Sequence, residues 1–530
     1  MNGAARPVLS ILAVKAFERR CASRRSRGDK EYDHVAPHAA RSPTDARNPM
    51  LLRQTLLYFP AQFLGPVFQF VSILTWTHYL TPEHLGLVAL VTAVQELALA
   101  ASLAWFTHYT LRYAASFEDA ERKAYLDAET LVIALSGAAT LLIVLTMPLF
   151  VGGAWDWPLV AAAIFQSVGR VTLSQLADRS RAWSDPLSYS ILQIGWPVGG
   201  FLVALALVVW VAPTATMVLL GYAIAQALAI AYVLLFRIET GRHPTHASRE
   251  VMRKAARYAA PLVIGTVLLW VANNATRFVV EWRDGAAAVG LVTVGWSIGL
   301  RIASVAAMVV SAAGFPLALV RARDDGIAAG QAQLVRNGLL LAAMLVPSTA
   351  GLWMIADELV PLFVGEAYRE ITLAILPASI LAGAARNFRV HWGEQVFLLH
   401  ERPVVPLLND VVDAAAALVL GAVGLWLGDL PGLITGSAIG AVLSLIVTMA
   451  WGWRDYRYAL PVPDVAKIAL ATALMAAVVA VLPIARSLTM LVLAVSAGAA
   501  VYAMTMAALY PAERRKAVTM LAGLLGRKSA

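Results

Sequence analysis

Apolar runs of about 20 residues recur along the whole chain between short charged segments, and no other feature limits its fold so strongly. Read from the sequence, the runs fall at 54–79, 84–108, 128–150, 158–178, 187–211, 215–236, 258–281, 287–313, 337–355, 371–391, 404–427, 431–452, 465–485 and 488–510. At about 1.5 Å per residue, such a run crosses the ~30 Å hydrocarbon core of a bilayer as a helix. In lipid, backbone N–H and C=O groups have to be satisfied within the structure itself. The period-two alternation of an outer-membrane barrel is absent, so the runs are helices. Of 530 residues, 59% are hydrophobic and 14% charged, against about 25% charged in a typical soluble domain. The expected fold class is all-α: a polytopic membrane protein of about 14 transmembrane helices. Its expected plan is two parallel six-helix lobes around a central cavity, plus two extra C-terminal helices.

The charges between runs set the orientation. Arg112, Arg122, Lys123, Arg179 and Arg181 follow even-numbered runs, as do Arg237, Arg249, Arg253, Lys254, Arg257, Arg321, Arg323, Arg336, Arg402, Arg454 and Arg457. The opposite side carries only Arg283, Arg369 and Arg486. Lys and Arg stay on the cytoplasmic side, which places both termini in the cytoplasm. Loops on the other side, such as "VGGAWDWP" and "GDLPG", are too short for a folded domain. The same distribution explains the net charge of +9 without nucleic acid as a partner. A single cysteine, Cys21, excludes an intrachain disulfide and a Cys-based metal site. There is no Gly-Lys-Ser phosphate-cradling motif, and the histidines lack ligand-like spacing, so no cofactor or metal is expected. The domain reading is a disordered basic cytoplasmic tail at 1–50, lobes at 51–240 and 250–455, two further spans within 461–511 and a basic tail at 512–530. In the first tail, Val8 to Phe17 is apolar like the core of a signal peptide, but Lys15 interrupts it.

An internal repeat supports the two-lobe reading. "RQTLLYFPAQ" from Arg53 is echoed by "RKAARYAAPL" from Arg253. "LGLVALVTAV" from Leu85 is echoed by "VGLVTVGWSI" from Val289. Aligning Gly86 with Gly290 brings Glu96 and Arg301 within one position of equivalence, at mid-depth in the second helix of each lobe. A guanidinium among lipid tails costs several kcal/mol, so both charges should face a hydrated space or each other. They either line a cavity or lock the lobes as an ion pair. Asn274 and Arg277 in "VANNATRF" lie further along their span, where Arg277 lines the cavity or snorkels to the surface. Arg170, Arg386 and Arg389 are candidates for the same cavity or for anchors at the cytoplasmic interface. Asn409 and Asp413 share a helix face with Asp410 beside them. The two aspartates could receive a coupling cation or proton, or neutralise nearby arginines.

In the order "YLTPEHLGLVAL", Tyr258 with Pro261, "WVANNATRF", "VGLVTVGWSIGLR" and "LVPLFVGEAYRE", the chain resembles the polysaccharide flippase branch of the multidrug/oligosaccharidyl-lipid/polysaccharide exporter superfamily. The resemblance runs from 50 to 455. It implies a transporter that flips an undecaprenyl-pyrophosphate-linked oligosaccharide across the inner membrane by alternating access. The partners it implies are that lipid-linked substrate, membrane lipids and polysaccharide assembly proteins. The candidate substrate site, read from the intramembrane polar residues, comprises Glu96, Arg170, Asn274, Arg277, Arg301, Arg386 and Arg389. The rival readings are a small-molecule or drug antiporter, which would favour acidic residues within the membrane, and a polymerase or ligase. The latter usually needs a large outer loop or clustered catalytic groups, and neither is present.

The charge bias makes a direct prediction. In a Cys21→Ser background, a membrane-impermeant thiol reagent added to spheroplasts should label Asp429→Cys and leave His246→Cys unlabelled until the membrane is permeabilised. The reverse pattern would invert the topology.

Overall fold

A computed structural model describes residues 49–153, 155–241, 248–482, 487–511 and 513–515. Nearly all of the expected tails at 1–50 and 512–530 therefore lies outside the described residues. Residues 58–530 form one compact unit. The described residues hold no strand.

The helices run in chain order: α1 (Pro49–Tyr79), α2 (Pro82–Ser102), α3 (Ala104–Tyr113), α4 (Asp119–Phe150), α5 (Trp157–Ala182) and α6 (Pro186–Ile194). A π-helical turn, Gly195–Gly199, leads into α7 (Gly200–Trp210), followed by α8 (Ala215–Phe236) and the long α9 (Arg249–Asp325). Then come α10 (Ile327–Met354), α11 (Ala356–Phe363) and α12 (Glu366–Phe388). A second π turn, Arg389–Gly393, precedes α13 (Gln395–Leu399), α14 (Val404–Tyr456), α15 (Val462–Val481) and α16 (Leu488–Leu509). Local chemistry sets several of the starts. Thr81, Asp156, Asp185, Thr214 and Ser248 each accept a hydrogen bond from a first-turn N–H of the helix they precede. These caps satisfy donors the helix cannot.

Eleven helices among the described residues are long and apolar enough to cross a membrane. Two of them contain a break. In α9, Gly285 has φ +78°, which L side chains rarely adopt. In α14, Gly428 and Asp429 leave helical geometry and the chain doubles back. Gly424 then meets Gly432, Gly421 meets Ser437 and Gly440 meets Ala416 and Ala417, an antiparallel hairpin closed through small residues. Gly421 and Gly424 therefore sit at that contact. Gly200 does the same against the Tyr222 ring. The two breaks face each other: Arg283 donates to the Leu425 carbonyl at 2.6 Å and pairs with Asp429 at 2.7 Å.

The halves of the repeat meet at this same end of the bundle, and the contacts are reciprocal. A Cβ on Gly86 would lie 1.8 Å from the Ala286 carbonyl oxygen, and one on Gly290 would lie 2.0 Å from the Pro82 carbonyl oxygen. Shifting residue numbers by the Gly86-to-Gly290 offset turns one contact into the other, as a local two-fold relation requires. A second pair is similar at the helix ends, although Gly152 and Gly365 lie 213 rather than 204 residues apart. The Gly365 N–H donates to Thr77 Oγ1 at 2.8 Å, and the Gly152 N–H donates to Glu281, the counterpart of Thr77. Tyr368 strengthens the first clamp by donating to the Leu80 carbonyl at 2.9 Å. The C-terminal pair packs outside this frame. Tyr502 of α16 donates to the Ala343 carbonyl of α10, and Ile355, Val479 and Leu491 form a small apolar cluster.

Neither glycine can gain a methyl group without moving the opposing backbone. Gly86→Ala and Gly290→Ala should each cost about 1–3 kcal/mol, the range for overpacking a tight contact. Thermal unfolding in detergent measures this, and two unchanged melting curves would contradict the contact.

Candidate functional site

Below the glycine crossing, four helices bring charge to one place. In α2, Glu96 is one of three exposed residues, and the other two lie at the ends of the helix. Asn274 donates to Glu96 Oε2 at 3.2 Å, while its own Oδ1 accepts from Arg277 Nη1 at 3.0 Å. Trp270, one turn earlier, is tied to the Ala93 carbonyl at 2.8 Å and holds this limb of α9 against α2. On the other limb, Arg301 Nη1 donates to Gln69 Oε1 of α1 at 3.0 Å. Arg170 of α5 lies with its guanidinium 3.8 Å from the centre of the Trp196 ring.

Glu96 acts electrostatically on all three arginines: Arg170, Arg277 and Arg301. Among the described residues no ion pair within 4 Å joins it to any of them. Asp178, two turns along α5, also acts on Arg170, so two carboxylates sit among three guanidiniums with no ion pair formed among the described residues. Arg277 Nε and Arg170 Nη1 are buried without a protein hydrogen-bond partner. Counted at 1.5 Å per residue from the glycine end, Arg277 lies about 12 Å deep, Arg170 and Glu96 about 20 Å and Arg301 about 24 Å. All four fall within the ~30 Å of a hydrocarbon core.

Arg386 and Arg389, at the junction of α12 and its π turn, form a second cluster. Arg386 Nε bonds both oxygens of Asp413 at 3.0 and 3.3 Å. Arg389 contacts Asp410 at 2.9 Å and Asp413 at 3.5 Å, and also bonds Glu394. The Asp413 side chain is fully buried. Two guanidiniums here face three carboxylates, the reverse of the balance around Glu96. Among the described residues no hydrogen bond or ion pair connects the two clusters. Asn409, on the face of Asp413, is buried with neither amide atom paired, as are both Nη atoms of Arg386.

Sequence reasoning missed several participants. Arg179 was read as a loop charge, but it is fully buried. It donates to Glu129 and lies against Trp183, while Tyr125, Thr110 and Gln175 complete the network. A basic residue at the end of an apolar run looks like an anchor whichever way it turns. The signal was Glu129, an acid inside the preceding run. Gln69 and Gln193 are lone amides in apolar stretches, and Trp196 lies in "GWPVGG", whose unusual turn the Gly and Pro content hints at. Asp178 recurs two turns after Arg170 on the same helix face. Among the described residues no group of His, Cys, Asp and Glu could hold a metal ion.

The described residues form an all-helical fold rich in apolar, membrane-length helices, with charge gathered among them. The sequence pattern of the polysaccharide biosynthesis protein family matches residues 77–373, more than half of the chain, and the chain belongs to that family. The fold is that of the multidrug/oligosaccharidyl-lipid/polysaccharide exporter superfamily. The lipid II flippase MurJ in an inward closed conformation superposes with TM-score 0.65 at 12% identity, covering 86% of this chain and 99% of that one. An inward-facing multidrug resistance MATE transporter superposes with TM-score 0.53 at 14% identity, over 76% and 97% of the two chains. The MATE transporter DinF-BH gives 0.51 at 13% identity, over 79% and 98%. No curated protein matches in sequence.

Removing one member of a buried ion pair strands its partner. Asp413→Ala should therefore destabilise the protein by about 3–5 kcal/mol, and adding Arg386→Met should recover part of the loss. Thermal melting of the purified variants decides it. An Asp413→Ala protein as stable as wild type would show that the cluster does not depend on this carboxylate.

Proposed function

We propose that the chain flips a polyprenyl-pyrophosphate-linked oligosaccharide, a precursor of a cell-surface polysaccharide, across a bacterial inner membrane, with both termini cytoplasmic. The observation that carries this reading is the excess of guanidinium over carboxylate around Glu96 at membrane depth. Burying permanent positive charge is costly unless water or an anion meets it. A pyrophosphate meets it best, because planar guanidinium forks bind phosphate oxygens in a bidentate way and stay charged at any physiological pH. Arg277 and Arg301 come from the two limbs of α9, so an anion between them draws on both sides of the Gly285 break. Glu96 and Asn274 hold Arg277 in place while the site is empty, and Gln69 does the same for Arg301. The incoming phosphates then displace side-chain partners rather than stripping bare charges.

Motion follows the reciprocal contacts. The glycine crossing and the Thr77 and Glu281 clamps join the halves at one end of the bundle. Alternating access would open that end and close the other around the fixed site, as in transporters built from repeats. Asp410 and Asp413 are already engaged by Arg386 and Arg389, so a coupling cation at that pair would have to compete with both guanidiniums. The polysaccharide biosynthesis family and the flippase named above support the lipid-linked substrate class. The antiporter reading is weaker, since a cationic drug would meet like charge at the centre. No nucleic acid enters this account. Lipids and polysaccharide assembly proteins are its expected neighbours.

Reconstituted in proteoliposomes with a lipid-linked oligosaccharide, Arg301→Ala and Arg277→Ala should each reduce flipping at least tenfold, while the surface variant Arg323→Ala leaves it unchanged. Wild-type rates in both arginine variants would overturn the proposal.

A further inference from the structure

Beside the Glu96 group lies a small cavity of about 180 Å³, walled by Gly65 and Gln69 of α1, Arg170 of α5, Tyr189 and Gln193 of α6, and Trp196 of the π turn. It touches the central site through a shared residue, because Gln69 is the side chain that holds Arg301. Its walls are unusual for membrane depth. Trp196 Nε1 and Arg170 Nη1 are both buried donors with no protein acceptor. An unmet buried donor costs about 1–3 kcal/mol, and two on one small cavity call for a ligand that presents acceptors. The π turn is the device that makes this wall. It carries Trp196 beneath the Arg170 guanidinium at 3.8 Å, and π turns are frequent at functional sites.

The volume is below the roughly 300–1,000 Å³ of sites for drug-sized ligands, so the cavity takes one ring and not a chain. Two carboxamides, a phenol and an indole N–H around a single cation suit hydroxyl and ether oxygens better than a second phosphate. We propose that this cavity is the subsite for the sugar ring attached to the pyrophosphate, with Gln193 and Trp196 setting its selectivity. The inference rests on the functional reading above and adds to it a place for the first sugar.

The test uses purified protein in nanodiscs and two kinds of short-chain isoprenyl probe: the bare pyrophosphate, and the same pyrophosphate bearing one sugar. Glucosyl, galactosyl, N-acetylglucosaminyl and glucuronyl forms make up the sugar set. Wild type should bind at least one sugar form about tenfold more tightly than the bare probe. Gln193→Leu and Trp196→Phe, which keeps the ring under Arg170 but removes the N–H, should each erase that difference and leave bare-probe binding within twofold. Arg301→Ala should weaken both probes. Equal binding of every sugar form and the bare probe by wild type, or a tenfold preference that survives both substitutions, overturns the sugar subsite. If no probe binds wild type, the lipid-linked substrate fails first, and the subsite with it.

Discussion

A guanidinium cannot shed its proton inside a membrane, and the central architecture accommodates that fact. Each arginine at depth has to meet water, an anion or a carboxylate. Around Arg386 and Arg389 the protein supplies carboxylates in excess, although both Nη atoms of Arg386 stay unpaired in the packed interior. Around Glu96 three arginines meet only Glu96 and, beside Arg170, Asp178, neither in an ion pair with them, and Glu96 itself is solvent-accessible. The two clusters use the same residue types and differ in balance. That difference is the ground on which we propose the anion site around Glu96 rather than at the second cluster.

The frame that holds the open cluster is built from backbone. Gly86 and Gly290 let α2 and the second limb of α9 cross with no side chain between them. Glu96 and Arg301 then lie two to three turns below that crossing on the two crossing helices. The local two-fold relation carries positions 82 and 86 onto 286 and 290, so a contact that closes one half also closes the other. One sequence pattern, used twice, therefore places the acid and its arginine together.

Much of this was legible before any coordinates. Apolar run length fixed the helices, because lipid leaves the backbone no alternative. The echo between Leu85 and Val289 aligned Gly86 with Gly290 as equivalent positions, and the rarity of charge in apolar runs singled out Glu96, Arg277 and Arg301. What could not be read was direction around a helix axis. Arg179 and Arg170 lie nine residues apart on α5, yet one is paired with Glu129 in the packed interior and the other stands over Trp196 beside an open cavity. The π turn at Gly195–Gly199 rotates every following side chain relative to a regular helix. Periodicity alone therefore could not bring Trp196 to Arg170.

The central claim is that a hydrated chamber of positive potential lies between these helices at membrane depth. The rate at which charged thiol reagents modify a cysteine at position 69, in a Cys21→Ser protein, tests it most directly. An anionic methanethiosulfonate should react several-fold faster than a cationic one of similar size, and Arg301→Ala should remove that preference. A site that neither reagent reaches, or one that the cation reaches faster, would contradict the account.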